Sequence, residues 1–216
     1  MPKFPEPPPV ATLREIGPDV LTLEPQTALA RIFFRGAEHP VVWDQFRFWG
    51  PANGRFDHHL PDAAGKPTVG PRGIFYAAGA GGPGALAVCL AEVFQETRII
   101  DPLDRAPWFV VFRTARALDL LDLRGLWPTR AGASAAISSG SKARARRWSR
   151  AIHEAYPNID GLAYPSSMGG GSDAYALYER ALPALPARPR FHRALADPAL
   201  AAPLLAAAAA INCGLD

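Results

Sequence analysis

Cysteine is scarce in this sequence, which contains two, Cys89 and Cys213, among 216 residues. So few cysteines do not build a disulfide framework, and a reducing compartment is therefore expected. The sequence also lacks a secretory signal, because its first residues, MPKFPEPPPVATL, contain no apolar core segment. The most apolar stretch, residues 194–211, is interrupted by one aspartate and two prolines, which argues against a membrane span. We therefore expect a cytoplasmic protein with no membrane segment.

A strong charge of one sign is also missing. The chain carries 23 lysines and arginines against 20 aspartates and glutamates, which gives a net charge of +3. This mild excess is compatible with an anionic ligand but does not require one. Since 49% of the residues are hydrophobic, the chain can bury a core large enough for one folded domain.

Proline and alanine are concentrated at the two ends of the chain. Residues 1–25 begin with a proline-rich segment, which we predict to be an extended arm outside the core. Residues 186–216 are rich in alanine and proline and are predicted to form a tail with a peripheral helix. Residues 26–185 show mostly strand patterns and few helices, without the alternation that builds a doubly wound sheet. The sequence therefore predicts a single α+β domain between the two ends.

Two arginines lie where they can reach a cleft. The segment TALARIFFRG predicts a strand over residues 30–34, which places Arg31 and Arg35 on the same face. Further along, an Asn-Gly pair predicts a tight turn. Arg55 follows that turn directly, so its side chain can project into a neighbouring cavity.

Residues 73–97 combine a strand, a glycine-rich loop and a helix. The run GIFYAA predicts a strand with Phe75 and Tyr76 on opposite faces. The run ALAVCLAEVFQET predicts a helix, with Glu92 at the flank of its apolar stripe. A carboxylate at the edge of a packed face can border a cavity. The predicted stripe consists of Leu86, Leu90, Val93 and Thr97.

The loop GAGGPG, between that strand and helix, matches the G-x-G-x-x-G pattern of dinucleotide-binding folds. It has Asp101 about twenty residues later, so a Rossmann-type NAD-dependent oxidoreductase is an alternative. Pro83 argues against this alternative, because proline disfavours helical geometry at Gly82, where the helix should begin. The scarcity of strand–helix alternation argues against it as well.

Two further clusters of polar residues were candidates for function. Asp57, His58, His59 and Asp62 suggest a metal site, but no second His/Cys pair lies at ligand spacing, so we predict a solvated loop. The run KARARRWSR, residues 142–150, predicts a helix with a basic face. Such a face is commonly solvated or docks an acidic partner, so a non-catalytic interaction module is another alternative. The residues predicted to face inward on this helix are Ala145, Trp148 and Ile152.

Five short motifs follow one another along the chain. They are RI at Arg31, GRF at Arg55, IFYAA at Tyr76, LAEVF at Glu92 and GLAYPS at Ser166. In this order they resemble the RES-domain family, which supplies the toxins of bacterial RES–Xre toxin–antitoxin pairs. The resemblance covers residues 29–178. It implies an ADP-ribosyltransferase-like mixed sheet core with flanking helices, and it implies NAD as the substrate.

The same resemblance implies a role for each of the five residues. Glu92 would be the catalytic carboxylate, and Ser166 would be the serine of the family's name. Arg31 would act in catalysis and, together with Arg55, would meet the phosphate and ribose groups. Tyr76 would line the nicotinamide end of the pocket. The expected protein partner is an Xre-type antitoxin, and contact with nucleic acid would be made only through it.

Several points stay open at this stage. Arg35 is close enough to Arg31, and Ser167 to Ser166, to be the true counterpart of its neighbour. The sequence has GRFD where many family members have GRWN, which leaves the pocket wall beside Arg55 uncertain. The acceptor of the ADP-ribose can be water, phosphate or a protein side chain, so a protein ADP-ribosyltransferase is an alternative to a toxin that hydrolyses or phosphorolyses NAD.

The chemistry of these residue types fits cleavage of the bond between nicotinamide and ribose. Breaking this bond builds positive charge at the anomeric carbon, as glycoside cleavage does, and a fixed carboxylate stabilises that charge. A pyrophosphate favours the planar, bidentate donors of arginine. Nicotinamide is already a good leaving group, so positioning and electrostatics are sufficient and no metal is expected.

Overall fold

A nine-stranded mixed sheet forms the centre of this computed structural model, which describes residues 4–81 and 84–216. The strands, in chain order, are β1 (Val20–Leu23), β2 (Ala28–Phe34), β3 (Arg47–Gly50), β4 (Thr68–Gly79), β5 (Ile99–Ile100), β6 (Pro107–Arg113), β7 (Leu118–Asp122), β8 (Gly161–Pro165), β9 (Asp173–Tyr178), β10 (Phe191–Ala194) and β11 (Gly214–Leu215). In space the main sheet has the order β1-β7-β8-β9-β4-β2-β6-β10, with β3 beside β4. Strands β5 and β11 pair separately.

The pairing within the main sheet is antiparallel, except for the parallel pair β7 and β8. A doubly wound dinucleotide-binding fold requires a mostly parallel sheet with helical crossovers. The Rossmann-type alternative is therefore wrong for this chain. The mixed α+β architecture with flanking helices, predicted from the sequence, is confirmed.

Helices flank this sheet. Among the helices of residues 4–81 and 84–216, none combines the length and the apolar character of a transmembrane segment. The α-helices are α1 (Val10–Ile16), α2 (Ala85–Val93), α3 (Trp127–Arg130), α4 (Ala136–Ser139), α5 (Lys142–Ala155) and α6 (Ala201–Ala210), and the 3-10 helices are Glu179–Ala184 and Pro198–Leu200.

The sheet is split between β2 and β4. These two strands pair only through Leu29 with Gly79 and Ala30 with Ala78, whereas β2 pairs with β6 along its whole length. The earlier part of β4 pairs with β3 instead, from Arg47 opposite Ile74 onward. Strands β2 and β4 therefore separate beyond Ala30, and the separation leaves an opening in the middle of the sheet.

Side-chain alternation on β4 assigns its residues to two different cores, as predicted. Phe75 packs with Phe46 and Phe112 on one face. Tyr76 packs against the core on the opposite face, which contains Phe56 and Trp148. Helix α5 covers that second face, and its three predicted inward residues, Ala145, Trp148 and Ile152, are fully buried.

The N-terminal segment differs from the extended arm that the proline content predicted. Phe4 is buried and stacks on Trp148, whose indole Nε1 donates a hydrogen bond of 2.9 Å to the carbonyl of Pro5. Glu6 accepts two hydrogen bonds from Arg147, at 2.5 and 2.6 Å. Residues 10–16 then form α1, which packs on α5. The prediction overlooked Phe4 and Glu6, which anchor the prolines to the protein.

Helix α2 is also buried differently from the predicted stripe. The helix ends at Val93, so Thr97 is not part of it, and Val93 is 37% exposed. The buried residues are Val88, Cys89, Leu90 and Ala91. Because α2 contacts α6 as well as strands β2 and β4, it is covered on more than one side and a single stripe does not describe it. Gly82 and Pro83, on which the argument about its start depended, lie outside the described residues.

The C-terminal segment forms the peripheral helix that was predicted. Helix α6 buries Leu204 and Ala208 against α2 and otherwise faces outward. The same segment also contributes β10, which pairs with β6 at the edge of the main sheet. The sequence analysis had not predicted this strand, because its four residues, FHRA, carry no clear alternation.

Candidate active site

A cavity of about 830 Å³ lies at the opening between β2 and β4. Arg31 reaches it from β2, Tyr76 from β4 and Glu92 from α2, while Arg55 comes from the turn before His58. The cavity thus brings together four of the five residues that the sequence analysis selected. The fifth, Ser166, contacts Glu92 directly.

Ser166 fixes the Glu92 carboxylate at the end of α2. The Ser166 hydroxyl is 2% exposed and donates a hydrogen bond of 2.5 Å to Oε1 of Glu92. The Ser166 hydroxyl oxygen in turn accepts a hydrogen bond from the backbone N–H of Gly169 at 2.7 Å. A Cβ on Gly169 would come within 3.0 Å of that hydroxyl, so glycine is needed for this close approach. No described group donates to the second Glu92 oxygen, Oε2, which leaves it free for a ligand.

Arg31 is held along the wall of the cavity with few polar partners. Its guanidinium lies 4.1 Å from the centre of the Phe75 ring and donates to the carbonyl of Gln45 at 3.3 Å. Its Nε is buried, and no described group accepts from it. Burial lowers the pKa of Arg31 to about 10, so the side chain stays charged at neutral pH. A buried cation with unused donors is suited to an anionic ligand.

Arg55 is anchored by the segment between α4 and α5. One of its terminal nitrogens donates a hydrogen bond of 2.6 Å to the carbonyl of Gly140. Burial lowers the pKa of Arg55, and the nearby Tyr164 and Glu92 partly counter that effect. Arg55 and Glu92 both line the cavity, so the cation and the carboxylate share one site. The remaining donors of Arg55 are available to the cavity.

Tyr76 and the turn before it are organised by the buried carboxylate of Asp57. This side chain is fully buried and accepts hydrogen bonds from Arg47 at 2.6 Å, from the Tyr76 hydroxyl at 3.1 Å and from the Ala52 N–H at 2.8 Å. The Tyr76 hydroxyl accepts in turn from the Phe56 N–H at 2.9 Å. Burial, followed by the Asp57 charge, raises the pKa of Tyr76 well above its usual value. The phenol is therefore neutral and oriented, with its ring at the cavity wall.

Comparison with known proteins identifies the family of this chain. The family model of the RES domain matches residues 28–201. The chain belongs to the RES-domain family. A chain in the crystal structure of the M. tuberculosis MbcT–MbcA toxin–antitoxin complex is similar to this RES domain in fold. The TM-score is 0.53 at 16% sequence identity, over 85% of this chain and 90% of that chain. No curated protein matches the sequence.

In this RES domain, Arg35 was an alternative to Arg31, and Ser167 was an alternative to Ser166. Arg35 is exposed and stacks on Trp108, 4.6 Å from the ring centre, and it does not line the cavity. Ser167 lines the cavity but is exposed, whereas Ser166 is the serine that contacts Glu92. The geometry therefore favours the original assignments, and the roles of these residues stay predictions.

Three residues that line the RES-domain cavity were not predicted from the sequence. Tyr164 lines it from β8, and burial together with the Glu92 charge raises the pKa of its phenol well above the usual value. Lys142, the first residue of α5, and Arg47, from β3, add positive charge. The alternation within GLAYP could have indicated Tyr164, but nothing local indicates that α5 begins at the cavity. In the described lining, four lysines and arginines face a single acidic residue, Glu92.

The solvated loop predicted for residues 57–62 of the RES domain is wrong in its first half. Asp57 and His58 are fully buried, and His59 is 2% exposed. Asp62 is exposed and caps its own turn through the N–H groups of Ala64 and Lys66. The prediction failed because the partners of the buried groups come from distant segments. Asp57, the last residue of the GRFD motif, is itself buried and forms an ion pair with the partly exposed Arg47.

The basic helix of the RES domain has a partner in its own chain. Arg144 and Arg147 on α5 both form ion pairs with Glu6. Arg144 also donates to the carbonyl of Phe4. Part of the basic face is therefore covered by the N-terminal segment.

Proposed function

We propose that this chain is the toxin of a toxin–antitoxin pair and that it consumes NAD⁺ by breaking the bond between nicotinamide and ribose. The observation that carries the proposal is the Glu92 carboxylate, fixed by Ser166 at the edge of a cation-lined cavity. Membership in the RES-domain family supports the toxin class. The shared fold with a chain of a toxin–antitoxin complex agrees with it.

The charges of the cavity suit a dinucleotide. Arg47 is neutralised by Asp57, which leaves Arg31, Arg55 and Lys142 to meet the ligand. A pyrophosphate bridge carries two negative charges, and guanidinium groups bind such oxygens in pairs. We place the pyrophosphate between Arg31 and Arg55, since both residues line the cavity and each guanidinium makes a single described hydrogen bond. The apolar and aromatic wall can then take the nicotinamide ring beside Tyr76.

The reaction needs little from the protein beyond position and charge. When the bond between the anomeric carbon and nicotinamide breaks, its electron pair leaves with the ring nitrogen and neutralises the pyridinium. The ribose is left as an oxocarbenium ion. The Glu92 carboxylate, with Oε1 held by Ser166, stabilises that ion or the ribose hydroxyl beside it through Oε2. A nucleophile then attacks the anomeric carbon.

The nucleophile decides the product. Water gives ADP-ribose and releases one proton, which the Glu92 carboxylate can accept. Inorganic phosphate attacks through an already ionised oxygen and gives a phosphorylated ADP-ribose, so no base has to take a proton from the nucleophile. We propose one of these two small acceptors, because the cavity is lined by cations that also attract phosphate. Transfer to a protein side chain is the alternative outcome of the same first step.

The partner we propose is an antitoxin of the Xre type, and DNA would be contacted only through that partner. The rim of the cavity supports a protein partner, because Trp49 and Val69 are paired across β3 and β4 and remain 49% and 72% exposed. Apolar side chains exposed beside an active site are commonly covered when a partner binds.

Product analysis tests this function. The purified chain is incubated with NAD⁺, with and without inorganic phosphate, and the products are separated by chromatography. We expect free nicotinamide in both cases, together with ADP-ribose, its phosphorylated form, or both. A label from NAD⁺ that appears on protein would establish the transferase alternative. Unchanged NAD⁺ under all conditions would refute the proposed activity.

A further inference from the structure

Three potential metal ligands from distant parts of the chain meet beside α5. His58 follows the Arg55 turn, His153 lies on α5, and Glu179 begins the 3-10 helix after β9. Their ligand atoms all lie within 4.8 Å of one another. His58 Nε2 is 3.1 Å from Glu179 Oε2, and His153 Nε2 is 2.7 Å from Glu179 Oε1. None of the three lines the cavity of the proposed active site.

A zinc ion binds histidine in its neutral form and glutamate in its ionised form. Each of the two histidines brings its Nε2 atom next to a different oxygen of the Glu179 carboxylate.

We propose that His58, His153 and Glu179 bind one zinc ion, at a site separate from the cavity. Two histidines and one glutamate are a known zinc ligand set, with a fourth position left for water. Zinc bonds of about 2.0–2.2 Å in tetrahedral geometry separate ligand atoms by roughly 3.3–3.5 Å. The present Nε2–oxygen distances of 3.1 and 2.7 Å need to lengthen by about 0.2–0.4 Å and about 0.6–0.8 Å, respectively.

Zinc ligation through Nε2 of His58 requires the ring proton to lie on Nδ1. The Nδ1 atom is buried, and no described group donates to it. A donor at Nδ1 would hold the ring proton on Nε2 and block the metal. Without one, the proton can move to Nδ1, and the lone pair of Nε2 becomes available. Oxygen-seeking ions such as Mg²⁺ and Ca²⁺ are disfavoured by two imidazole ligands.

The surroundings leave a route for the ion and for a bound water. The side chains of Glu179 and His153 are 24% and 12% exposed, so the site is open on that side. Arg180 lies 3.9 Å from Glu179, but its terminal nitrogens are occupied by the backbone carbonyls of Tyr156, Ile159 and His153. The guanidinium is therefore held by these carbonyls rather than drawn onto the carboxylate.

Zinc at this position would join three segments that carry or border the proposed active site. His58 continues the turn with Arg55, and His153 lies on the helix that begins at Lys142. Glu179 also accepts from the Gly73 N–H of β4, at 3.1 Å. The ion would thus fix the turn against α5 and β4 without touching substrate. This inference stands independently of the NAD-consuming activity.

Metal content and stability of the full-length chain test the proposal. The protein is stripped with a chelator, loaded with zinc, passed through a desalting column and analysed by mass spectrometry for zinc. We expect one zinc per chain, a higher melting temperature in zinc than in chelator, and the visible absorption of tetrahedral Co²⁺ when cobalt replaces zinc.

Variants assign the metal to these residues. His153→Ala and Glu179→Gln should each lower zinc affinity by at least about tenfold, a loss seen even when outer partners of metal ligands are removed. Glu154→Gln, an exposed neighbour on α5, should keep full binding. His153 is only partly buried, so His153→Ala remains informative if Glu179→Gln does not fold. Two results would overturn the proposal. One is a wild-type chain that retains no zinc after desalting and whose melting temperature does not change in excess zinc. The other is undiminished zinc binding by His153→Ala.

Discussion

The buried carboxylate of Asp57 offers the sharpest test of how the site is held together. Replacing it by alanine removes the acceptor for three donors, on Arg47, Tyr76 and Ala52. Breaking a buried ion pair by removing one partner costs about 3–5 kcal/mol. Because 34% of the Arg47 side chain is exposed, it regains part of its hydration, and we expect about 2–4 kcal/mol for Asp57→Ala. For a chain of this size that is a fall in melting temperature of roughly 4–16 °C.

Urea unfolding, followed by tryptophan fluorescence, measures this loss. The matched control is Asp104→Ala, which removes the partner of Arg105 in a pair whose side chains are both more than half exposed. Exposed pairs contribute about 0–1 kcal/mol, so this variant should unfold close to wild type. The reasoning fails if Asp57→Ala loses no more stability than Asp104→Ala. Asp57→Asn should lie between the two, because it keeps the shape but loses the charge that pairs with Arg47.

Three further predictions follow from single contacts. Ser166→Ala should lower kcat for NAD⁺ by about 10–100-fold, since a hydrogen bond to a charged group contributes about 1.5–3 kcal/mol. The control variant Ser167→Ala should keep a kcat close to that of the wild type. Arg31→Lys should raise the KM for NAD⁺ by about tenfold, because lysine lacks the bidentate fork of arginine. Arg35→Lys is the control, since Arg35 does not line the cavity. Equal KM values for the two variants would show that Arg31 does not bind the phosphate groups. Phe4→Ala should destabilise the fold by about 2–4 kcal/mol in thermal unfolding, and an unchanged melting temperature would show that the N-terminal segment does not contribute to the core.

Local patterns in the sequence predicted the parts of the fold that depend on neighbouring residues. Alternation placed Phe75 and Tyr76 on opposite faces of β4, and helical spacing placed Trp148 inward on α5. The order of five short motifs, ending at Ser166, identified the family. The periodicity of apolar residues and the spacing of motifs are visible in the sequence itself, so these features could be predicted from it.

The features that the sequence did not reveal depend on contacts between distant positions. Glu6 and Arg147 lie 141 positions apart, so a proline-rich start could not be distinguished from one anchored to a helix. His153 and Glu179 reach His58 from two other segments, and no spacing rule for metal ligands covers that arrangement. The flank position of Glu92 was inferred from an idealised helix, whereas its contact with Ser166 depends on how the sheet opens.

The role of Glu92 underlies the whole account, and one paired measurement tests it. Nicotinamide release from saturating NAD⁺ is followed for the wild type and Glu92→Gln, while calorimetry gives the Kd of each for NAD⁺. Glu15→Gln, an exposed carboxylate on α1, is the control. We predict that Glu92→Gln lowers kcat at least about a hundredfold with Kd close to wild type, because the carboxylate acts on charge that develops in the transition state. A Glu92→Gln variant that releases nicotinamide at the rate of Glu15→Gln would contradict the account.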